Sequence, residues 1–496
     1  MTIGPRALME RALLHRQPWV RLAAIVAICL AVALPAGAVL GLAGALYGTA
    51  LLIGLAVGYL MLRHLMVGLL ALVGVICLLP FAALPIDIGF SPTFLDLVLG
   101  AVFFVWAGRL VTRRDGDLRT DPPTVPVLVF VALAVVSFIL GLSHARLTAN
   151  NARHFAEILL SVLVFVLIIN TIRTRRQLNV LLGALMVAGF GAALVGIVLY
   201  VLPDDLSVRL LSMLRVVRYP SGAEVLRYVE DNPELPLRAI STSVDPNVLG
   251  GLLIFVSTIT AAQVVAPRPL FRRGLLVAML LTMVGCLILT YSRGSFAGLA
   301  AAVGLMSLLR YRKLFWVGLG ILVVLLILPP SQAYVAHFVE GVQGDDLATQ
   351  MRFGEYRDAL RLIARSPWFG VGFTGTPDID TYLGVSNVYL LIAEEMGVVG
   401  LAAFLAAMGT FFWHFLGALR RCPPGAPLEA PLLGTGMAVA GGLAGGVLDH
   451  YLFNLVFPHA AALLWLVVGL GTVTIRLTAT PEAEAEAEVA TPSLAA

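Results

Sequence analysis

The chain has 496 residues, of which 59% are hydrophobic and only 12% charged, with a formal net charge of +4. Soluble domains carry roughly 25% charged residues, so an ordinary globular protein is excluded, and recurrent apolar runs long enough to cross a bilayer as helix define a polytopic membrane chain. The basic excess sits in short loops between those runs, as the positive-inside rule expects, which excludes a nucleic-acid partner.

In chain order the predicted spans are 21–40, 43–61, 65–85, 92–109, 126–143, 155–171, 178–201, 247–266, 274–290, 295–309, 314–329, 387–417, 432–450 and 457–475. The expected fold is therefore an all-α transmembrane bundle of about 14 spans, with 12–14 tenable. The first run follows a basic segment but reads as a retained span, because similar spans follow it. With the N-terminus inside, behind Arg6, Arg11, Arg16 and Arg21, each loop assigned inside is basic: Arg63; Arg109, Arg113, Arg114 and Arg119; Arg173, Arg175 and Arg176; Arg268, Arg272 and Arg273; Arg310, Arg312 and Lys313; Arg420 and Arg421. An even span count returns the C-terminus inside.

This reading divides the chain into an N-terminal bundle (1–202), a first extracytoplasmic loop (203–246), central spans (247–329), a large extracytoplasmic loop (330–386), C-terminal spans (387–476) and an acidic, low-complexity tail (477–496) expected to be disordered. Cys29, Cys77 and Cys286 fall in spans and Cys422 in a basic loop, so neither a disulfide nor a metal site is expected.

Polar residues next to apolar spans carry the candidate chemistry. Arg238 closes the first loop, and Asp245-Pro246-Asn247 reads as a helix start, its polar residues serving as caps or offering N–H groups to a phosphate. Arg293 sits in a very tight turn, Ser292-Arg293-Gly294. It either snorkels or pairs with a carboxylate, or it waits for an anionic headgroup whose oxygens its planar fork can hold in pairs. Residues 350–365 have helical spacing. Phe353, Tyr356, Leu360 and Ile363 are expected to share one face, and Arg352 opens this amphipathic helix. Pro367 ends it, and Gly370, Gly372 and Gly375 read as a flexible turn. Ser386 or Asn387 can cap the next helix, on which Tyr389 follows; Glu394 lies about two turns on, at membrane depth, where it requires a partner. Asp449-His450 is a second polar pair near a span end, and a lone histidine there is more often structural than catalytic.

The order of these segments, RAISTSVDPN, then SRG at 292–294, a long loop ending in PWFGVGF, and SNVYLLIAEEMGVVGLAAF at 386–404, resembles the O-antigen ligase and O-antigen polymerase superfamily of bacterial envelopes over roughly 238–404. The resemblance implies a metal-independent glycosyltransferase without cofactor in the cytoplasmic membrane, its active site outside. The donor would be a glycan on undecaprenyl pyrophosphate and the acceptor a glycan or lipid hydroxyl, with a chain-length regulator as a further partner. Arg238, Arg293 and Arg352 would bind the pyrophosphate, with Asn247 and Tyr389 beside it. Ligases of this family usually carry His-Asn where this chain has Ser386-Asn387. Proton acceptance from the acceptor then falls to Glu394, His337 or His450, or is dispensable. That departure favours a polymerase slightly over a ligase. A transporter or lipid-linked glycan flippase is the alternative, although neither paired halves nor broken midplane spans are visible in the sequence.

Overall fold

The computed structural model describes residues 54–87, 89–112, 118–144, 146–312, 347–374 and 385–479, with a few isolated positions besides. The expected spans 21–40 and 314–329, most of span 43–61, His337, Gly375, both flanks of the 330–386 loop and the tail beyond residue 479 lie outside the described residues. The chain falls into two compact units, Met1–Val67 and Gly68–Ala496. The first contains an apolar helix, Gly54–Arg63, in which the Arg63 guanidinium lies over the Tyr59 ring, 4.9 Å from its centroid.

From there on the architecture is all-α: α1 (Leu65–Leu78), α2 (Phe94–Val111), α3 (Thr124–Gly141), α4 (Ala149–Thr171), α5 (Arg175–Val201), α6 (Asp204–Met213), α7 (Pro246–Val265), α8 (Arg273–Leu289), α9 (Arg293–Leu309), α10 (Leu347–Arg365), α11 (Val388–Arg421), α12 (Glu429–Gly445) and α13 (Pro458–Ala479). Two-residue strands, β1 (Arg227–Tyr228) and β2 (Leu237–Arg238), pair antiparallel in the loop after α6. Among the described residues seven helices, α2–α5, α7, α11 and α13, are long and apolar enough to cross a membrane; α1, α8 and α9 are apolar but shorter. The chain is a multi-pass membrane protein.

Helix starts follow local chemistry. Thr93 and Thr174 form capping boxes with Asp96 and Gln177, each satisfying two amides that a helix start leaves without partners. The predicted spans 65–85 and 432–450 are shortened in the structure. The first helix stops at Leu78, before Pro80 and Pro85, which cannot continue the hydrogen-bond ladder. The second stops at Gly445, and Asp449-His450 lies in the turn that follows rather than in a span.

Helix α7 is apolar on all sides because it is packed on all sides, by α5, α8, α9, α12 and α13. α13 is equally enclosed and packs along α4. α9 and α12 meet through small residues. A Cβ on Gly298 would lie 2.6 Å from the Gly441 carbonyl oxygen, and one on Gly441 would lie 2.7 Å from the Gly298 oxygen. Gly294, Gly298 and Ala302 on one helix, and Gly441 and Gly445 on the other, repeat every fourth residue. Backbones approach closely at such stripes inside a bilayer, where dispersion rather than water drives association.

α11 is broken at Gly397 (φ 70°, ψ −177°). The segment after α10 lies against the break: Val371 and Gly372 donate to the Glu394 and Glu395 carbonyls at 2.8 and 3.0 Å, and Val398 donates to Pro367 at 2.8 Å. The Ser137 hydroxyl of α3 lies within hydrogen-bond reach of both the Phe369 oxygen, at 2.7 Å, and the Glu395 oxygen, its single proton shared between them, so all three segments are joined. The expected flexible turn is therefore, at Gly370 and Gly372, a fixed junction. Both have positive φ, and a Cβ on either would fall within 3 Å of backbone atoms, of α11 for Gly370 and of α3 for Gly372.

Candidate functional site

The loop after α6 returns to the bundle through the β1–β2 pair, which sets Arg227 opposite Arg238. Ala239 then donates to the last residue of α8, the Leu289 carbonyl, at 2.8 Å. Arg238 is thereby held across the end of α8: its Nε donates to the Thr290 oxygen and its Nη2 to Asn247 Oδ1, both at 2.8 Å. Asp245 caps α7 by accepting from the Asn247 and Val248 amides, with Pro246 in the first helical position as its fixed φ favours. Ser292 caps α9, whose first residue is Arg293. Gly250 lets the two helix starts approach, since a Cβ there would lie 2.2 Å from Ser295 Oγ.

Arg238, Asn247, Arg293 and Arg352, from β2, α7, α9 and α10, line one cleft with Val229, Glu230 and Tyr291. The lining carries three guanidiniums and the Glu230 carboxylate, with Asp231, Asp245 and Asp449 near enough to act on Arg238. The starts of α7 and α9 add the positive ends of their dipoles. Burial lowers the Arg238 pKa and Arg352 adds to that effect, while Asp245, Asp449 and Asp231 oppose it. Asp449 is itself buried in the turn after α12, which raises its pKa. Such a group of fixed cations is electrostatically complementary to a polyanion, and guanidinium matches phosphate oxygens in pairs.

Backbone strain gathers at the same place. Among the described residues every non-glycine residue at positive φ falls between 218 and 291: Arg218, Glu230, Asp231, Ser241, Val244 and Tyr291. Glu230 and Tyr291 line the cleft, and Ser241 and Val244 lie between Arg238 and α7. Left-handed non-glycine residues cost about 1–3 kcal/mol each and concentrate at functional sites.

The other candidates lie apart from this lining. Asn387 caps α11 through Oδ1 and donates from Nδ2 to the Val447 oxygen at 2.8 Å; the Tyr389 hydroxyl donates to the Leu443 oxygen at 2.9 Å. Ser386 donates its amide to Glu355 Oε2 at 2.9 Å, and its carbonyl accepts from the Tyr356 hydroxyl at 3.2 Å. Glu394 is buried in α11, and the His450 ring faces Phe457. The face of α10 turned to the bundle is not its most apolar stripe. Tyr356, Ala359 and Leu362 turn inward, Ala359 packing with Val385 and Leu391, whereas Phe353 and Leu360 are exposed. At a membrane boundary, exposed apolar side chains can face lipid, so the most apolar stripe need not be the packed one.

Sequence reasoning missed Glu230 and Tyr291. Asp231-Asn232-Pro233 marks a turn beside Glu230, but nothing marks the left-handed backbone of Glu230 or Tyr291 itself. Glu355 was visible only as one charge among several on α10.

Together these features define an all-α polytopic membrane protein with a cationic cleft at one end of its bundle. Residues 278–405 match the family model described as O-antigen ligase, which supports placing the chain in the O-antigen ligase and polymerase superfamily. The matched region includes Arg293, Arg352, Ser386, Asn387, Tyr389 and Glu394; Arg238 and Asn247 precede it. The curated proteins contain no match. A chain from a solved structure described as "Structural coordination of polymerization and crosslinking by a peptidoglycan synthase complex" is 19% identical, with a TM-score of 0.38, over 72% of this chain and 97% of that one.

Proposed function

We propose that the protein is a membrane glycosyltransferase that moves a glycan from a polyprenyl pyrophosphate, such as undecaprenyl pyrophosphate, to an acceptor hydroxyl, as a polymerase in preference to a ligase. The cleft opens on the extracytoplasmic face, and the arginine-rich opposite end of the bundle lies in the cytoplasm by the positive-inside rule. The observation that carries this reading is the convergence of Arg238, Arg293 and Arg352 on one cleft at two helix starts. As the sugar–phosphate bond breaks, negative charge grows on the departing diphosphate, and cations already in place stabilise it without reorganisation. The acceptor oxygen attacks the anomeric carbon and its proton goes to a base.

We assign that proton to Glu230, the carboxylate in the cleft lining. Glu230→Gln is expected to lower kcat by about 10²–10⁴-fold, the usual worth of a general base, and to leave the KM for donor near the parent's. An unchanged kcat would remove Glu230 from the reaction.

Purified protein incubated with lipid-linked oligosaccharide tests the whole reading. A ladder of lengthened products from donor alone is expected, undiminished by a metal chelator. Single additions that need a separate surface-lipid acceptor would make the protein a ligase, and no transfer in either assay would reject the proposal.

A further inference from the structure

A second site lies at the opposite end of the bundle from the cleft. Asn247 lies in the first turn of α7 (Pro246–Val265) and Gln263 in its last, so about 24 Å of helix separates the two regions at 1.5 Å per residue. There an open-sided groove of about 760 Å³ runs between α5 and the α7–α8 loop. Arg175, Arg176 and Asn179 line one end of it, on the first two turns of α5. Val180, Gly183, Ala184 and Val187 continue the groove along the same strip of α5, at three- and four-residue spacing. Phe271 closes the other wall over Gly183, where a Cβ would already lie 3.4 Å from its ring.

The groove has a charged head and an apolar tail. Arg175 and Arg176 have no ion pair or hydrogen bond among the described residues, and Arg175 Nε is buried without an acceptor. Arg268 lines an adjoining recess with Arg175 and Asn179. The nearby carboxylates are engaged elsewhere: Glu429 holds Arg310 at 2.9 Å, and Asp121 holds Arg476 at 2.8 Å. A zwitterionic headgroup would bring its own cation against unneutralised arginines, whereas an anionic one would not.

We propose that this groove binds an anionic phospholipid of the leaflet opposite the cleft. The headgroup phosphate rests on Arg175 and Arg176, and one acyl chain follows α5 past Val180 to Val187. The site stands whether or not the cleft holds a pyrophosphate. Its function is to seat the α5 and α7–α8 loop region in a leaflet of defined charge.

Native mass spectrometry of the purified full chain, delipidated and then supplied with phosphatidylglycerol or phosphatidylcholine of matched chain length, tests it. Phosphatidylglycerol is expected to be retained at least tenfold more strongly and to raise the melting temperature. The double variant Arg175→Glu, Arg176→Glu should lose that preference. Val187→Trp, at an exposed position that would fill the apolar end, should lose retention of both lipids. Equal retention of the two lipids by the parent would overturn the proposal, as would undiminished phosphatidylglycerol retention in either variant. Should the charge-reversed variant not fold, the parent comparison and Val187→Trp still decide the matter.

Discussion

Replacing Arg293 by alanine should reduce transfer from a purified lipid-linked donor by on the order of 10²–10³-fold, the ~2.7–4 kcal/mol typical of removing one preorganised donor from a developing oxyanion. Arg238→Ala should cost at least as much. Besides its charge, Arg238 supplies the hydrogen bonds that tie the end of α8, through the Thr290 carbonyl, to Asn247 on α7. The two variants differ in kind. Arg293→Lys keeps a point charge and should recover part of the rate, while Arg238→Lys loses the fork that spans two helices and should recover little. The readout is kcat/KM with the helical circular dichroism signal as a folding control. Activity near the parent's in Arg293→Ala would dismiss the diphosphate clamp.

The largest stability loss is expected at the break in α11. Gly397 occupies a backbone region that is essentially glycine-only, and a Cβ there would meet the Trp368 carbonyl carbon and oxygen at 2.2 Å. Both neighbours are backbone, so no side chain can turn aside. Gly397→Ala should therefore destabilise the protein by about 3 kcal/mol or more, adding conformational strain to the contact. Gly409→Ala on the same helix, with open space around it, should be neutral or slightly stabilising. Thermal unfolding in detergent distinguishes them, and equal melting temperatures would show that the junction contributes nothing.

Much of the fold was legible because membrane helices announce themselves by continuous apolar length. α2 to α5, α7 to α9 and α11 all begin or end within a few residues of their predicted bounds. The start of α7 was legible in detail, since an aspartate followed by proline has few other structural meanings, and Asp245 does cap it. Arg238 and Arg293 line one cleft, a meeting that the family resemblance implied and that their positions at span ends do not by themselves require. What escaped the sequence was of a different kind. The break at Gly397 lies in an apolar run whose periodicity continues through it, so only the packing of the Pro367–Gly372 segment reveals it. The inward face of α10 was not legible because lipid as well as protein can cover an apolar stripe. Glu230 was invisible because its place in the cleft depends on the left-handed backbone of the 230–231 turn, which side-chain pattern does not encode.

The three cleft arginines do not share one support. Arg238 and Arg293 belong to the packed bundle, whereas Arg352 rides on α10, which packs on α11 and on Val385 and Ser386 just before it, and whose chain continues into the Pro367–Gly372 junction. A polyanion that uses all three must bind more tightly when α10 is seated than when it is displaced, and the same differential affinity must then hold α10 in place. Donor arrival and seating of the arm are in this sense one equilibrium viewed from two sides. A mutation that loosens the arm will therefore weaken substrate capture without touching a single phosphate contact.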